Sequence, residues 1–380
     1  MKKSALGVLF LTVFVDLLGF GIVLPLLPLY AKDYGASPGQ IGLLFASFSA
    51  MQLLFAPLWG RLSDRHGRRP MLMLGLFGSI LSYTLFAFAP NYTWLLASRM
   101  AAGFFGATIG TAQAYIADVT GRHDRGKQMA LIGAAFGVGF AFGPSIGGLS
   151  HALSPAAPGL IAAGFSLVAF LIAWKRLPEP ERHVERIVGG VGGLRHIANH
   201  PVALLAVALQ VIVTFCFANF EGTLALFSRD RWNFDILANG FLFTYLGVLM
   251  LVFQGLVVRR LMPRVGEARF AVLGCLLLGG GLLGIALGGK FVVMAVAVLG
   301  FSMTSPSLAS LLSQATPPAM QGEVLGLGQS GLALARIFGP WAGNLLFGLS
   351  PEAPYRYAAA VMAIGVAGAL LLAARVRAVR

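Results

Sequence analysis

Apolar runs of membrane-spanning length recur along almost the whole chain, at about 4–30, 40–59, 71–89, 93–117, 128–150, 157–174, 201–226, 238–258, 270–288, 291–313, 323–348 and 355–374. A helix crosses the hydrocarbon core with about 20 residues at 1.5 Å each. In lipid every backbone polar group must be satisfied within the protein, which restricts such a chain to a helical bundle. The expectation is an all-α integral membrane protein with twelve transmembrane helices. Its 380 residues leave little for a soluble domain, and only 11% are charged where soluble domains carry about a quarter. The first run follows Lys2 and Lys3 as a signal peptide would. It is far longer than the about 7 to 15 apolar residues of such a peptide and lacks a cleavage pattern, so it reads as a retained span.

The formal charge of +14 would point to nucleic acid in a soluble protein, but here its placement decides its meaning. With the amino terminus inside, 21 of the 28 Lys and Arg fall on the cytoplasmic side; the outer loops hold 5, namely Lys32, Arg229, Arg231, Lys290 and Arg356. That asymmetry places both termini in the cytoplasm of a multi-pass cell-membrane protein, a bacterial inner membrane being the expected one, and removes the nucleic-acid reading. Cys216 and Cys275 lie inside apolar runs, and the six histidines are scattered without ligand spacing, so neither a disulfide nor a metal site is expected. Gly326-x-Gly328-x-x-Gly331 has no strand before it, and the phosphate-loop mimic at Gly284–Lys290 has Phe291 in place of Ser/Thr, so nucleotide chemistry is not expected either.

The chain divides into a six-helix half at 1–176, a linker at 177–200 with Pro178, Pro180 and GGVGG at 189–193, and a second half at 201–380. An offset of 196 aligns Thr120 with Thr316, Gly126 with Gly322, Gly143-Pro144 with Gly339-Pro340 and Gly147 with Gly343, without a gap. A duplicated six-span unit is the organisation of a large class of transporters, with the substrate site between repeats near the bilayer midplane.

Motifs narrow the class. GRLSDRHGRRP at 60–70 sits between spans 2 and 3, where Gly60 and Gly67 permit a tight turn and close helix approach and Asp64 can face a helix amino terminus. It resembles the signature loop of the major facilitator superfamily. A degenerate copy at 255–269 lacks the Asp. GVGFAFGPSIGG at 137–148 resembles the element that antiporter branches carry in span 5; Gly137, Gly143 and Gly147 offer a bare helix face, and Pro144 deletes a backbone hydrogen bond. FVDLLGFGIVLPLLPLYA at 14–31, SDRHGRRPML at 63–72 and AYIADVT at 114–120 make the chain most similar to twelve-span drug:proton antiporters of the tetracycline-efflux type. Those exporters carry further acids in spans 3 and 9, where this chain has Ser82 and LLLGGGLLG at 276–284, which argues against tetracycline itself. The resemblance implies that spans 1, 4, 7 and 10 line a central cavity. It also implies a conformational latch in which Asp64 meets the amino end of span 11 near Gly322 and Glu323, while Arg68 pairs with Asp118.

Four ionisable residues fall within spans: Asp16, Arg99, Glu221 and Arg336. Such residues are costly in lipid and read as functional by default, the alternative being a structural ion pair or a side chain reaching the interface. Asp16 is about 15 Å deep and Glu221 and Arg99 about 9 Å from the outer surface. Depth and the family position of Asp16 make it the expected proton-coupling acid, since a desolvated carboxylate can hold a proton near neutral pH. Glu221 with Phe217 and Phe220 reads as a site for lipophilic cations; the alternative is that Glu221 only pairs with Arg99 or Arg336. The expected function is proton-exchanging export of small, mostly apolar compounds, cations among them, by alternating access. A sugar or metabolite exporter would need a cavity rich in Asn, Gln and Trp, whereas the cavity spans show mainly Phe, Leu, Met, Ser and Thr. An intramembrane transferase would need a His, Asp or Glu cluster at a membrane face, and a sensor would need a signalling domain. No catalytic residues and no cofactor are expected, the proton gradient being the driving force. The expected partners are a small-molecule substrate, protons and the lipid bilayer, around a monomer.

Overall fold

The computed structural model describes residues 2–106, 108–120, 122–180, 192–317 and 320–379, and each of the twelve apolar runs lies on helix. In the first half these are α1 (Lys2–Val23), α2 (Leu27–Asp33), α3 (Pro38–His66), α4 (Arg68–Ala87), α5 (Tyr92–Phe104), α6 (Thr108–Val119), α7 (Arg122–His151) and α8 (Ala157–Arg176). After the short α9 (Gly192–Asn199) come α10 (Pro201–Trp232), α11 (Ile236–Val252), a π-helical turn at Phe253–Val258 that runs on into α12 (Arg259–Val265), α13 (Glu267–Ala286), α14 (Phe291–Gln314), α15 (Gln321–Phe347) and α16 (Ala353–Val379). Among the described residues nine helical segments are by themselves long and apolar enough to cross a membrane. The pair α5–α6, with α7 and α15, accounts for the other three runs.

Local chemistry sets the boundaries. Ser37 and Gln40 form a reciprocal capping box at the start of α3, with Pro38 in the first turn, where its missing N–H costs nothing. Spans 3 and 4 are separated because the Asn91 side chain accepts from the Trp94 amide and starts α5. Spans 9 and 10 are separated at Gly288, whose φ of +92° few other residues adopt. Span 4 is not one helix. It breaks after Phe104, and α3 satisfies the released carbonyls: Trp59 Nε1 donates to Phe104 O and Gln52 Nε2 to Gly106 O.

Two compact units form, one of Met1–Glu185 with Ser228–Val248 and one of Arg186–Phe227 with Leu249–Arg380. In the first, the glycine face of α7 lies directly on α1. A Cβ at Gly143 would sit 2.7 Å from the Gly21 backbone, and one at Gly139 2.9 Å from the Leu17 and Leu18 backbone. The neighbouring face of α7, one residue further round, meets α11, where a Cβ at Gly240 would sit 2.6 Å from Pro144 O. In the second unit the equivalent helices repeat the device: a Cβ at Gly339 would lie 2.7 Å from Phe215 O, and one at Gly343 2.7 Å from Asn219 Oδ1. The Gly-Pro repeat thus corresponds to one packing arrangement built twice, of α7 on α1 and of α15 on α10.

Candidate functional site

Asp16 sits on α1, half-buried, and its Oδ1 accepts a hydrogen bond from Ser79 Oγ of α4 at 2.7 Å. Tyr83, one turn further along α4, donates to the Asp16 carbonyl at 3.3 Å and lies in electrostatic range of both Asp16 and Arg99. Sequence reasoning missed Ser79 and Tyr83. Their spacing of four places both on one face of α4, but only the packing of α4 on α1 reveals the acid they serve. Ser82, also on α4, donates to the Gly78 carbonyl of its own helix.

Arg99, on α5, is 3% exposed. Its guanidinium carbon lies 4.6 Å from the Phe48 ring centroid and 5.8 Å from that of Phe20, and its Nε has no hydrogen-bond partner. In the second unit, Glu221 of α10 and Arg336 of α15 feel one another's charge, but among the described residues no ion pair within 4.0 Å joins them. Phe217 stacks face to face on Phe301 at 3.8 Å. Phe220 is a correction to the expected cation site: it is 1% exposed and packs edge-on against Tyr355, so it offers no face to a ligand.

The signature loop is built around Arg68. Its Nε donates to Asp118 Oδ2 at 2.8 Å, and its Nη1 donates to Asp64 Oδ1 at 2.6 Å and Ser63 Oγ at 3.1 Å. The expected Arg68–Asp118 pair is thus present, and Asp64 joins it as the i,i+4 partner of the same arginine. Gly67 makes the turn between α3 and α4 with φ +108°. Gly60 does neither of the things expected of it: it lies inside α3, not in the turn, and a Cβ there would meet nothing within 4 Å.

A further carboxylate completes the loop. Glu179, just past α8, accepts from the backbone amides of Arg68 at 2.6 Å and Arg69 at 2.9 Å, capping the unsatisfied amino end of α4. Nearby, Arg69 donates to Trp174 O and Tyr115 to Pro178 O. The only sign of this in the sequence was an acid between two prolines in the charged connector. Within the span 5 element, Gly137, Gly143, Pro144 and Gly147 are all buried, the last three in the contacts of α7 with α1 and α11.

Comparison with known proteins bears on this arrangement. The sequence model of the Major Facilitator Superfamily matches residues 9–340. The chain is 31% identical over 337 residues to the tetracycline resistance protein, class B, of Escherichia coli, covering 86% of this chain and 84% of that protein. It is 30% identical over 379 residues to multidrug resistance protein 2 of Bacillus subtilis (strain 168), covering 96% and 94%. Among solved structures it is similar to the human organic anion transporter MFSD10 (TETRAN), at 25% identity and a TM-score of 0.73, over 97% of this chain and 99% of that one.

Proposed function

The chain belongs to the major facilitator superfamily and is a multi-pass membrane transporter, not an enzyme, and on that footing we propose that it exports small, mostly apolar compounds in exchange for protons by alternating access. The relatives named for tetracycline and multidrug resistance support the drug-efflux reading. The single observation that carries the coupling is Asp16: a carboxylate on α1, held by the Ser79 hydroxyl, among apolar helix walls. A carboxylate there can take up a proton on one side of the membrane and release it on the other.

In this reading Arg99, Phe217, Glu221 and Arg336 belong to the substrate cavity. The group of Asp64, Gly67, Arg68 and Asp118 is the latch of the cycle. Gly137, Gly143, Pro144 and Gly147 let α7 slide or bend against α1 with little side-chain obstruction. The lysine and arginine asymmetry supports cytoplasmic termini, and the reading places the chain in a bacterial inner membrane as a working monomer.

Asp16→Asn in proteoliposomes is the test. The variant keeps the volume and hydrogen-bonding capacity of the side chain and loses its titration. It should bind substrate and fail to accumulate a lipophilic dye against a gradient when a pH difference is imposed. Uphill, pH-driven dye transport by this variant would overturn the assignment of coupling to Asp16.

A further inference from the structure

Arg99 is a buried cation that forms no ion pair within 4.0 Å among the described residues. A guanidinium withdrawn from water is expensive unless it is paired and hydrogen-bonded. Among the described residues none accepts a hydrogen bond from it, and its Nε is enclosed without a partner. Seven acids of the same unit have donors or cations of their own. Asp16 accepts from Ser79, Asp33 pairs with Arg229, Asp64 and Asp118 share Arg68, Glu179 caps α4, Asp230 pairs with Lys32 and Asp235 accepts from the Ala238 amide.

What Arg99 does have is aromatic. Phe48 and Phe20 hold the guanidinium at 4.6 and 5.8 Å, and the two rings pack on each other at 5.5 Å. Cation–π contacts occupy the faces of a guanidinium and leave its N–H donors, which lie in the plane, unused. A carboxylate binds such a fork in that same plane. The two rings lie to one side of the guanidinium, and Phe140, 6.4 Å from Phe20, continues the same aromatic surface.

We propose that Arg99 is the docking point for a carboxylate carried on an aromatic or similarly apolar body, so that the substrates of this exporter include aromatic acids. The proposal rests on the efflux reading above and adds the charge of the substrate to it. The competing role for Arg99, a charge that merely tunes Asp16, predicts no preference for an anionic ligand.

The test uses the full chain in lipid nanodiscs and two probes of one shape, 2-naphthoate and 2-naphthamide, titrated at neutral pH by equilibrium dialysis. The wild type should bind the acid at least about tenfold more tightly than the amide, the scale of one charge-assisted hydrogen bond. Arg99→Gln should erase that preference, and Arg99→Lys, which keeps the charge without the planar fork, should fall between. Equal binding of the two probes to the wild type, undetectable binding of the acid, or an unchanged preference in Arg99→Gln would each overturn the proposal. Should Arg99→Gln fail to fold, the wild-type ratio and Arg99→Lys decide. A parallel assay of pH-driven efflux of a neutral dye separates the two readings. Efflux without acid binding leaves the exporter and removes the anion site; Arg99-dependent acid binding without efflux does the reverse.

Discussion

Glu221 shows how far a single residue can be read before its neighbours are known. In the sequence it is a lone carboxylate among phenylalanines, the pattern of a cation site. In the fold Phe220 is enclosed beside Tyr355 and one face of Phe217 stacks on Phe301, while Glu221 feels the charge of Arg336. Glu221→Gln should therefore weaken matched cationic and neutral ligands alike, and the double variant with Arg336→Gln should be less impaired than the two single effects added, by a coupling of about 0.5 to 1 kcal/mol. Ligand titrations and thermal melting of the four proteins check this, and selective loss of the cationic ligands would restore the cation site. Phe220→Ala should lower stability by about 3 kcal/mol whatever the ligand, as expected of a buried ring in a medium that is already apolar outside. Asp16 was legible because a deep acid in a first span is rare. Ser79 was not, because serines in spans usually donate to their own helix, as Ser82 does here.

Individual helices were legible from run length alone, since in lipid a continuous apolar segment has no alternative to helix. Breaks and packing partners were not. The interruption of span 4 depends on Trp59 and Gln52 of another helix, and the Gly103–Gly106 pair gave only a weak local sign of it. Gly60 and Gly67 look equivalent in the motif, yet only Gly67 has a left-handed φ, and a Cβ there would also sit 2.5 Å from the Glu179 carboxylate. Gly67→Ala should accordingly cost about 1 to 2 kcal/mol of backbone strain and slow turnover, while Gly60→Ala should be neutral or slightly stabilising in its helix. Glu179→Gln keeps an acceptor but loses the charge at the amino end of α4, so it should slow turnover less than Gly67→Ala. Dye efflux rates and melting midpoints of the three variants check the order. A Gly60→Ala defect as deep as that of Gly67→Ala would show that the loop is read by shape in another state of the cycle.

At the scale of the whole molecule, the duplication is visible in the 196-residue offset, but the assignment of residues to compact units is not. Residues 228–248, from the second repeat, pack within the first unit. They are held there by Lys32–Asp230 at 2.6 Å and Asp33–Arg229 at 2.9 Å, beside a cavity of about 530 Å³ lined by Leu29, His151, Phe234 and Leu237 among others. In the alternating-access cycle proposed above, this segment is expected to release from α2, which holds it by charge, and from α7, which holds it by close glycine packing. All four charged side chains are between 32% and 49% exposed, so each pair should contribute at most about 1 kcal/mol and the two together should bias the closed arrangement by no more than about thirtyfold. Two weak ties suit a contact that must open in every turnover, where a buried pair would hold it shut. Neutralising both with Asp33→Asn and Asp230→Asn should raise the labelling rate of an introduced Leu237→Cys by a membrane-impermeant maleimide added outside intact cells, by about threefold to thirtyfold. Background labelling should be low because Cys216 and Cys275 are both buried. An unchanged rate would mean that glycine packing of α7 on α11, and not charge, keeps the segment in place, and Gly240→Ala, whose Cβ would sit 2.6 Å from Pro144 O, would then raise labelling on its own.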